Sequence, residues 1–291
     1  MIVVEQLADA GAPQVGITVD GLSAAATLTV ERSWDDGATW AAVRGAQEQV
    51  VSGSAFYRDF VPPLNVPSRY RARLSSGTIT GAVEATITVP SECAWLQDPL
   101  APRTAVPVAT YADGPDQVRL MSGSAQQIQR TQPVDLVTVQ GASLPVASIG
   151  TRQAPAGVPL VLRPLLDLAA DQSVLLKSIR VLFDTAGQVV IRGLPAQYGL
   201  DPVAHVVAPA VTEHPSLGGV LGYHEWQLSV TQVQPSTLRV VVPWWTYADV
   251  QAIVQDARGM GATYADVAAA MPAGAVYADV LKNPHVLGGE A

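Results

Sequence analysis

The chain has 291 residues, of which 48% are hydrophobic and 14% are charged, and it carries a formal net charge of −8. This acidic balance argues against a general nucleic-acid binder, because neutralising phosphates requires a basic surface. No apolar run approaches the ~18 residues of a membrane span, so we expect the apolar residues to lie in cores or subunit interfaces. Cys93 is the only cysteine, which excludes an internal disulfide and a cysteine-cluster zinc site.

Residues 1–90 show the alternation of apolar and polar residues that predicts short, half-buried strands. Met1–Leu7 has an early acid and no basic leader, so it predicts a first strand and not a signal peptide, in a protein made in the cytoplasm. Further strands are predicted around Thr27–Glu31, Tyr70–Leu74 and Ala85–Val89. The spacing is typical of a β-sandwich, and the length of the chain favours a second domain after it.

A motif within this first domain fixes five positions: Ser33, Asp35, Gly37, Thr39 and Trp40. The pattern resembles the Asp-box hairpin, in which the aspartate accepts hydrogen bonds from turn amides and the glycine takes positive φ. The tryptophan is expected to fold back over the turn. Asp-boxes are familiar from sialidases, where they lie away from the catalytic pocket. The motif occurs once here, so it predicts a stabilised hairpin far more than a glycosidase.

The stretch Pro63–Arg73 resembles the region of fibronectin type III domains where a loop enters a late strand that carries a tyrosine. Tyr70 is therefore predicted to be a core or corner tyrosine and not a ligand-binding one. A fibronectin III/Ig-like β-sandwich over residues 1–90 is what this resemblance implies.

Residues 91–107 lose the periodicity and contain several prolines. We predict a stiff, docked linker that pins two domains together through Trp95 and Leu96. These two side chains are also candidates for a subunit interface.

Residues 108–245 are predicted to form a second β-rich domain, a barrel or a sandwich. A helix is predicted at about 169–185, because its apolar residues recur at three- and four-residue spacing. The helical apolar residues are Leu175, Leu176, Ile179, Leu182 and Phe183. The candidate strands are Val134–Val139, Val158–Arg163, Val189–Arg192, His205–Val211, Glu225–Val233 and Leu238–Val242.

The C-terminal residues 246–291 contain a threefold repeat of Tyr-Ala-Asp-Val, which begins at Tyr247, Tyr264 and Tyr277. Threonine followed three residues later by an acid is close to a capping box, so the repeats predict short helices with Asp near the positive end of the helix dipole. Such short helices are marginal alone. We therefore expect them to dock on a neighbouring subunit, anchored by Trp244 and Trp245, and we expect a chain without them to fold but not to assemble with its partners.

Few residues of this sequence suggest catalysis or metal binding. His214 with Glu213 and His224 with Glu225 flank a glycine-containing loop, so a hairpin could gather them as a metal site, but the spacing matches no metalloenzyme signature. Nucleophile-elbow and phosphate-loop motifs are absent. The prediction is a non-enzyme without metal or cofactor. Stacking of sugars on the tryptophans is the alternative that stays open.

The order of these segments resembles the minor tail proteins of siphophages that infect actinobacteria, in the group similar to distal tail proteins. The segments that carry the resemblance are Glu31–Trp40, Pro63–Pro67, Trp95–Leu100, Gly187–Gly193, Val233–Pro235 and the Tyr-Ala-Asp-Val repeats. The resemblance implies a structural virion component that links the tail tube to the baseplate hub. It further implies a homo-oligomer of three- or six-fold symmetry whose partners are the tail tube, the hub and the tape measure protein. Binding of host cell-wall glycan is the alternative function, and a glycosidase-like enzyme is the second alternative.

Overall fold

The computed structural model describes residues 1–7, 11–109, 118–121, 123–138, 140, 143–164, 173–216 and 223–236. The described chain is mainly β, with the helix α1 between strands of the second body. The predicted fold class is therefore confirmed. Leu238–Val242, Trp244, Trp245 and the repeats of residues 246–291 lie outside the described residues, so the predictions made for them stay predictions.

The first body is an antiparallel sheet built around the long strand β2. Its strands are β1 (Ile2–Leu7), β2 (Gln14–Ser33), β3 (Ala41–Ala42), β4 (Gln49–Asp59), β5 (Pro67–Ser76) and β6 (Glu84–Thr88). The hydrogen-bonded order is β1-β2-β5-β6, and β3 and β4 also pair with β2. The strands predicted around Thr27–Glu31, Tyr70–Leu74 and Ala85–Val89 fall in β2, β5 and β6.

Strand β2 bends between Asp20 and Ala26, where its register against β4 shifts. Gly21 lies in this bend with a φ of +74°, and a side chain there would collide with Thr80, so the position requires glycine. Before the bend β2 pairs with β1, and after it with β5. Side chains from both halves, such as Ile17 and Leu28, lie in one buried core. The bend thus folds the sheet over a common core, which the fully buried Tyr70 shares, as predicted for a core tyrosine.

Residues 91–107, predicted to be a linker, supply strands to the second body. Strand β7 (Ala94–Gln97) and strand β8 (Val106–Ala109) flank a short 3-10 helix, Pro102–Thr104. Strand β7 pairs with β8 on one side. On its other side it pairs with Val190–Arg192, almost 100 residues later in the chain. The linker interpretation is therefore wrong for most of this segment. The prolines that suggested it lie mainly in the turn between the two strands, where they need donate no ladder hydrogen bond.

The second body is a closed β-barrel with a protruding ribbon. Its remaining elements are β9 (Val118–Leu120), β10 (Val134–Val137), β11 (Val146–Ile149), β12 (Val158–Pro164), α1 (Ser173–Thr185), β13 (Val189–Arg192), β14 (Val203–Val207), β15 (Val211–Ser216) and β16 (Tyr223–Gln232). The strand order β12-β9-β8-β7-β13-β14-β16 closes because β12 also pairs with β16. Strand β15 pairs with β16 beyond β14, and β10 and β11 pair only with each other among the described residues.

Helix α1 packs its apolar side against the barrel core. Ile179 and Leu182 are fully buried there, and Leu175, Leu176 and Phe183 pack against the same cluster. The predicted helix is thus confirmed over Ser173–Thr185, while residues 169–172 lie outside the described residues. The predicted strand His205–Val211 is wrong as a single strand, since β14 ends at Val207 and β15 begins at Val211. Pro209 lies between them and lacks the N–H that a continuous ladder would need.

Candidate functional site

The Asp-box motif forms the hairpin between β2 and β3. Asp35 Oδ1 accepts hydrogen bonds from the Ser33 hydroxyl at 2.6 Å and from the Thr39 amide at 2.9 Å. The Thr39 hydroxyl donates to the other carboxylate oxygen, and the Gly37 amide donates to Ser33 Oγ at 2.9 Å. Gly37 has a φ of +89°. The predicted roles of Asp35 and Gly37 are therefore confirmed, and Ser33 and Thr39 supply hydrogen bonds to the Asp35 carboxylate.

Trp40 closes the hairpin and is itself covered by an arginine. Its ring lies at contact distance from Gly37, 3.4 Å from where a Cβ would stand. The guanidinium carbon of Arg71 lies 3.9 Å from the ring centroid, which is a cation–π contact. Arg71 in turn pairs with Glu31 at 2.6 Å. The predicted fold-back of Trp40 is confirmed, and one face of the indole is occupied by protein.

The hydrogen bonds of the hairpin lower the pKa of Asp35, and this change can be measured. Bonds from Ser33 and then Thr39 lower the pKa of Asp35 from 3.8 to about 2. Because the folded pKa is depressed, the stability that these bonds contribute is fully present above pH 3.8 and is lost as the pH falls through about 2. In an NMR titration of the carboxyl groups, Ser33→Ala should move the Asp35 midpoint upward toward 3.8. Ser76→Ala, a serine of β5 that bonds Thr27 instead, should leave it unchanged; an unshifted Asp35 in Ser33→Ala would contradict the assignment.

A buried ion pair lies where the first body faces the barrel. Arg32 Nη1 donates to Asp59 Oδ1 at 2.7 Å and to Oδ2 at 2.5 Å. The Tyr70 hydroxyl donates to Oδ2 at 2.9 Å, and the Val61 amide donates to Oδ1 at 3.0 Å. Burial and the Asp59 carboxylate raise the pKa of Tyr70 well above its usual value. Asp59 thus serves as the common acceptor of this cluster.

Arg192 extends the polar cluster from the barrel to the first body. This fully buried side chain of β13 donates from Nη1 to the carbonyl oxygens of Pro13 at 2.8 Å and Pro62 at 3.2 Å. Gln97 of β7 likewise donates to the Phe60 carbonyl at 3.1 Å. Burial lowers the pKa of Arg192 to about 10, so the residue stays charged near neutral pH. Backbone carbonyls of the first body are therefore held by side chains of the barrel.

His205 lies on the barrel side of the same region. Its Nδ1 is 3.3 Å from Gln188 Oε1, which also accepts from the Ser236 amide. Since an amide oxygen only accepts, Nδ1 carries the proton. Burial, with the positive charges of Arg32 and Arg44, lowers the pKa of His205 to about 4. The imidazole is therefore neutral at pH 7 and fills a structural position.

The two predicted interface residues of the linker segment, Trp95 and Leu96, contact the two bodies of this chain. Leu96 is only 3% exposed and belongs to the barrel core, so its assignment to a subunit interface is wrong. Trp95 points the other way along β7, packs against the core of the first body and donates to Ser91 at 3.1 Å. The pair does pin the two bodies together, as predicted, but within one chain. Trp244, Trp245, Tyr247, Tyr264 and Tyr277 lie outside the described residues.

In the hairpin of β15 and β16, the two histidine–glutamate pairs lie on opposite faces. His224 lies 3.2 Å from Glu213, which also binds Arg180. His214 lies across from Glu225, which binds Arg163 at 2.5 Å. Each carboxylate thus has an arginine partner. No group of three or more His, Cys, Asp or Glu side chains within the described ranges is placed to hold a metal.

A ribbon formed by β10 and β11 extends from the barrel into solvent. Every described residue from Gln129 to Ala154 is exposed. The ribbon is anchored at its base, where Arg130 donates to the Gly199 carbonyl at 2.9 Å and the Gln232 amide donates to Pro155 at 2.8 Å. Ile128 packs against the barrel core. The ribbon is therefore an extension of the barrel with a fixed root.

The register of the ribbon gives it two unlike faces. Val134 pairs with Ile149, and Leu136 pairs with Ala147. Because side chains alternate along a strand, these four residues share one face, which is entirely apolar. The other face carries Asp135 with Ser148 and Val137 with Val146. Leu136 and Ile149 are each 64% exposed, and Leu144 near the tip is 77% exposed.

This exposed apolar face is a candidate contact surface that sequence reasoning missed. The alternation in Val134–Val137 predicted a strand and would equally have fitted a strand that faces a core. Isolated two-stranded ribbons are at best marginally stable in water, and contiguous exposed apolar surface marks sites of protein interaction. What the arrangement offers is therefore a contact surface.

Comparison of the chain with protein-family models and with curated proteins finds no match. Within the described ranges, no helix combines the length and the apolar character that crossing a membrane requires. The function must accordingly be argued from the surfaces and the sequence resemblance.

Proposed function

We propose that this chain is a structural, non-catalytic component of a bacteriophage tail tip, of the distal-tail or minor-tail class, that joins the tail tube to the baseplate hub. The observation that carries the proposal is the apolar face of the β10–β11 ribbon, which stands in solvent on a fixed root. A protein that assembles with neighbours buries such a face in the particle. The order of sequence motifs supports the same function.

Contacts between the two bodies also support a structural function. Arg192 and Gln97 bond backbone carbonyls of the first body, and Trp95 packs into its core. Contacts of this kind couple the bodies within one chain. In the proposed particle, the partners are the tail tube, the hub, the tape measure protein and further copies of this chain in three- or six-fold symmetry.

Binding of host-wall glycan by the first body is the competing proposal. A sugar ring needs an open indole face, but Arg71 covers one face of Trp40 at 3.9 Å. The guanidinium carbon of Arg32 lies 5.8 Å from the ring centroid of Trp34, the residue that follows β2. Both hairpin tryptophans are thus engaged with arginines, which favours the structural function over the glycan-binding one.

The proposal is tested on particles produced by the phage genome that encodes this chain. Mass spectrometry of purified particles should detect the chain, and antibodies against the recombinant protein should label the tail end in negative-stain images. Antibodies against a cytoplasmic host protein serve as the control. Purified particles that lack the chain, or label only on the capsid, would overturn the proposal.

A further inference from the structure

The seam where Arg192 meets the first body contains buried polar atoms that the surrounding protein does not pair. Within the described residues, Nε and Nη2 of Arg192 have no hydrogen-bond partner, although Nη1 donates to the carbonyl oxygens of Pro13 and Pro62. The buried Oε1 atoms of Gln97 and Gln14 have no partner there either. Arg192 and Gln97 are 0% and 1% exposed, so bulk solvent does not satisfy these groups.

The unpartnered atoms lie in one region of the seam. The pairing of β7 with β13 places Gln97 and Arg192 diagonally adjacent on the same side of the barrel wall. Both side chains bond carbonyl oxygens of the loop that follows β4, two residues apart. The other carbonyl that Arg192 bonds belongs to Pro13, the residue before Gln14. Two nitrogens and two oxygens without partners are therefore gathered around the same two loops of the first body.

Water is the ligand that matches this set of atoms. The Nε and Nη2 edge of a guanidinium presents parallel N–H groups, which one oxygen atom can accept together. The Gln97 amide donates from Nε2 to a carbonyl, so its Oε1 is an acceptor that needs a donor. Water both accepts and donates. An anion such as chloride only accepts, and the glutamine oxygens would repel it.

We infer that an ordered water molecule is bound in the seam, where it accepts hydrogen bonds from Arg192 and donates to Gln97 and Gln14. Buried waters typically make about three hydrogen bonds to polar groups that would otherwise be unsatisfied. The water adds a bridge between the bodies beside the direct bonds from Arg192 to Pro13 and Pro62. The inference concerns the coupling of the two bodies and does not depend on the proposed tail function.

NMR of the full chain tests for the water directly. The Arg192 Hε proton should show a rotating-frame Overhauser cross-peak to water with the sign of dipolar contact, which is opposite to the sign of proton exchange. Arg71 is the control, because its Nε donates directly to Glu31 at 2.6 Å, and its Hε should show no dipolar cross-peak to water. A missing dipolar cross-peak at Arg192 would overturn the inference.

A variant then assigns the water to this site. Gln97→Met keeps an unbranched side chain but removes the acceptor, so oxygen-17 relaxation dispersion should detect about one long-lived water fewer than in the wild type. Gln49→Met, at a partly exposed glutamine that bonds the Gln47 carbonyl, should leave the number unchanged. An unchanged number in Gln97→Met would contradict the inference. An anomalous bromide peak beside Arg192 in bromide-soaked crystals would also overturn it and would assign the site to an anion.

Discussion

Asp59→Ala is expected to lower the free energy of unfolding by about 3–5 kcal/mol, the cost typical of removing one partner from a buried ion pair. The substitution leaves Arg32 charged and buried without its carboxylate. It also removes the acceptor of the Tyr70 hydroxyl and of the Val61 amide. Arg192 nearby adds a second buried positive charge, so the remaining cluster would hold like charges with nothing to balance them.

The measurement is urea denaturation followed by circular dichroism, with Glu84→Ala as the control. Glu84 also pairs with an arginine, Arg69, but both side chains are partly exposed, at 43% and 35%. Exposed pairs contribute about 0–1 kcal/mol. Equal losses of unfolding free energy in Asp59→Ala and Glu84→Ala would contradict a stabilising role for the buried Arg32–Asp59 pair.

Leu182→Ala is expected to lower the free energy of unfolding by about 2–5 kcal/mol, because it removes a fully buried side chain and leaves a cavity. Leu182 is 0% exposed and belongs to the barrel core. Its loss weakens the contact that holds α1 against the barrel. The same denaturation measurement applies.

Val181→Ala is the matched control on the neighbouring residue of α1. Val181 is 38% exposed, and alanine has the higher helix propensity, so the change should be within about 0.5 kcal/mol. A loss in Leu182→Ala no larger than in this control would contradict the packing of α1 into the barrel core.

Features set by local chemistry were predictable from the sequence. The Asp-box needs a serine, an aspartate, a glycine and a threonine within seven residues, and the structure joins Ser33, Asp35 and Thr39 as the motif requires. Helix α1 was predictable because its apolar spacing repeats over several turns. Tyr70 was predictable as a core residue because Pro63–Arg73 resembles the fibronectin type III segment that carries a tyrosine on a late strand.

Features set by distant partners were not predictable. Strand β7 has four residues and pairs with Val190–Arg192 of β13, a relation that no local pattern encodes. Arg192 is buried where it meets Pro13 and Pro62 of the first body, so an arginine with ordinary sequence neighbours lies in the interior. The ribbon's strands were predicted in part, but alternation alone does not distinguish a face against a core from a face against solvent. The functional proposal therefore combines a resemblance of motifs with a surface that only the structure reveals.

The contribution of β7 and β8 to the barrel limits how this protein can be recombined with others. A first body ending near residue 90 could be exchanged as a unit, whereas a cut after residue 107 would remove β7 and half of β8 from the barrel wall. Even an exchange at residue 90 must supply carbonyl groups where Pro13 and Pro62 meet Arg192. The junction of such an exchange should therefore lie before Ala94. The loops of the incoming module should place carbonyl oxygens where they can accept hydrogen bonds from Arg192.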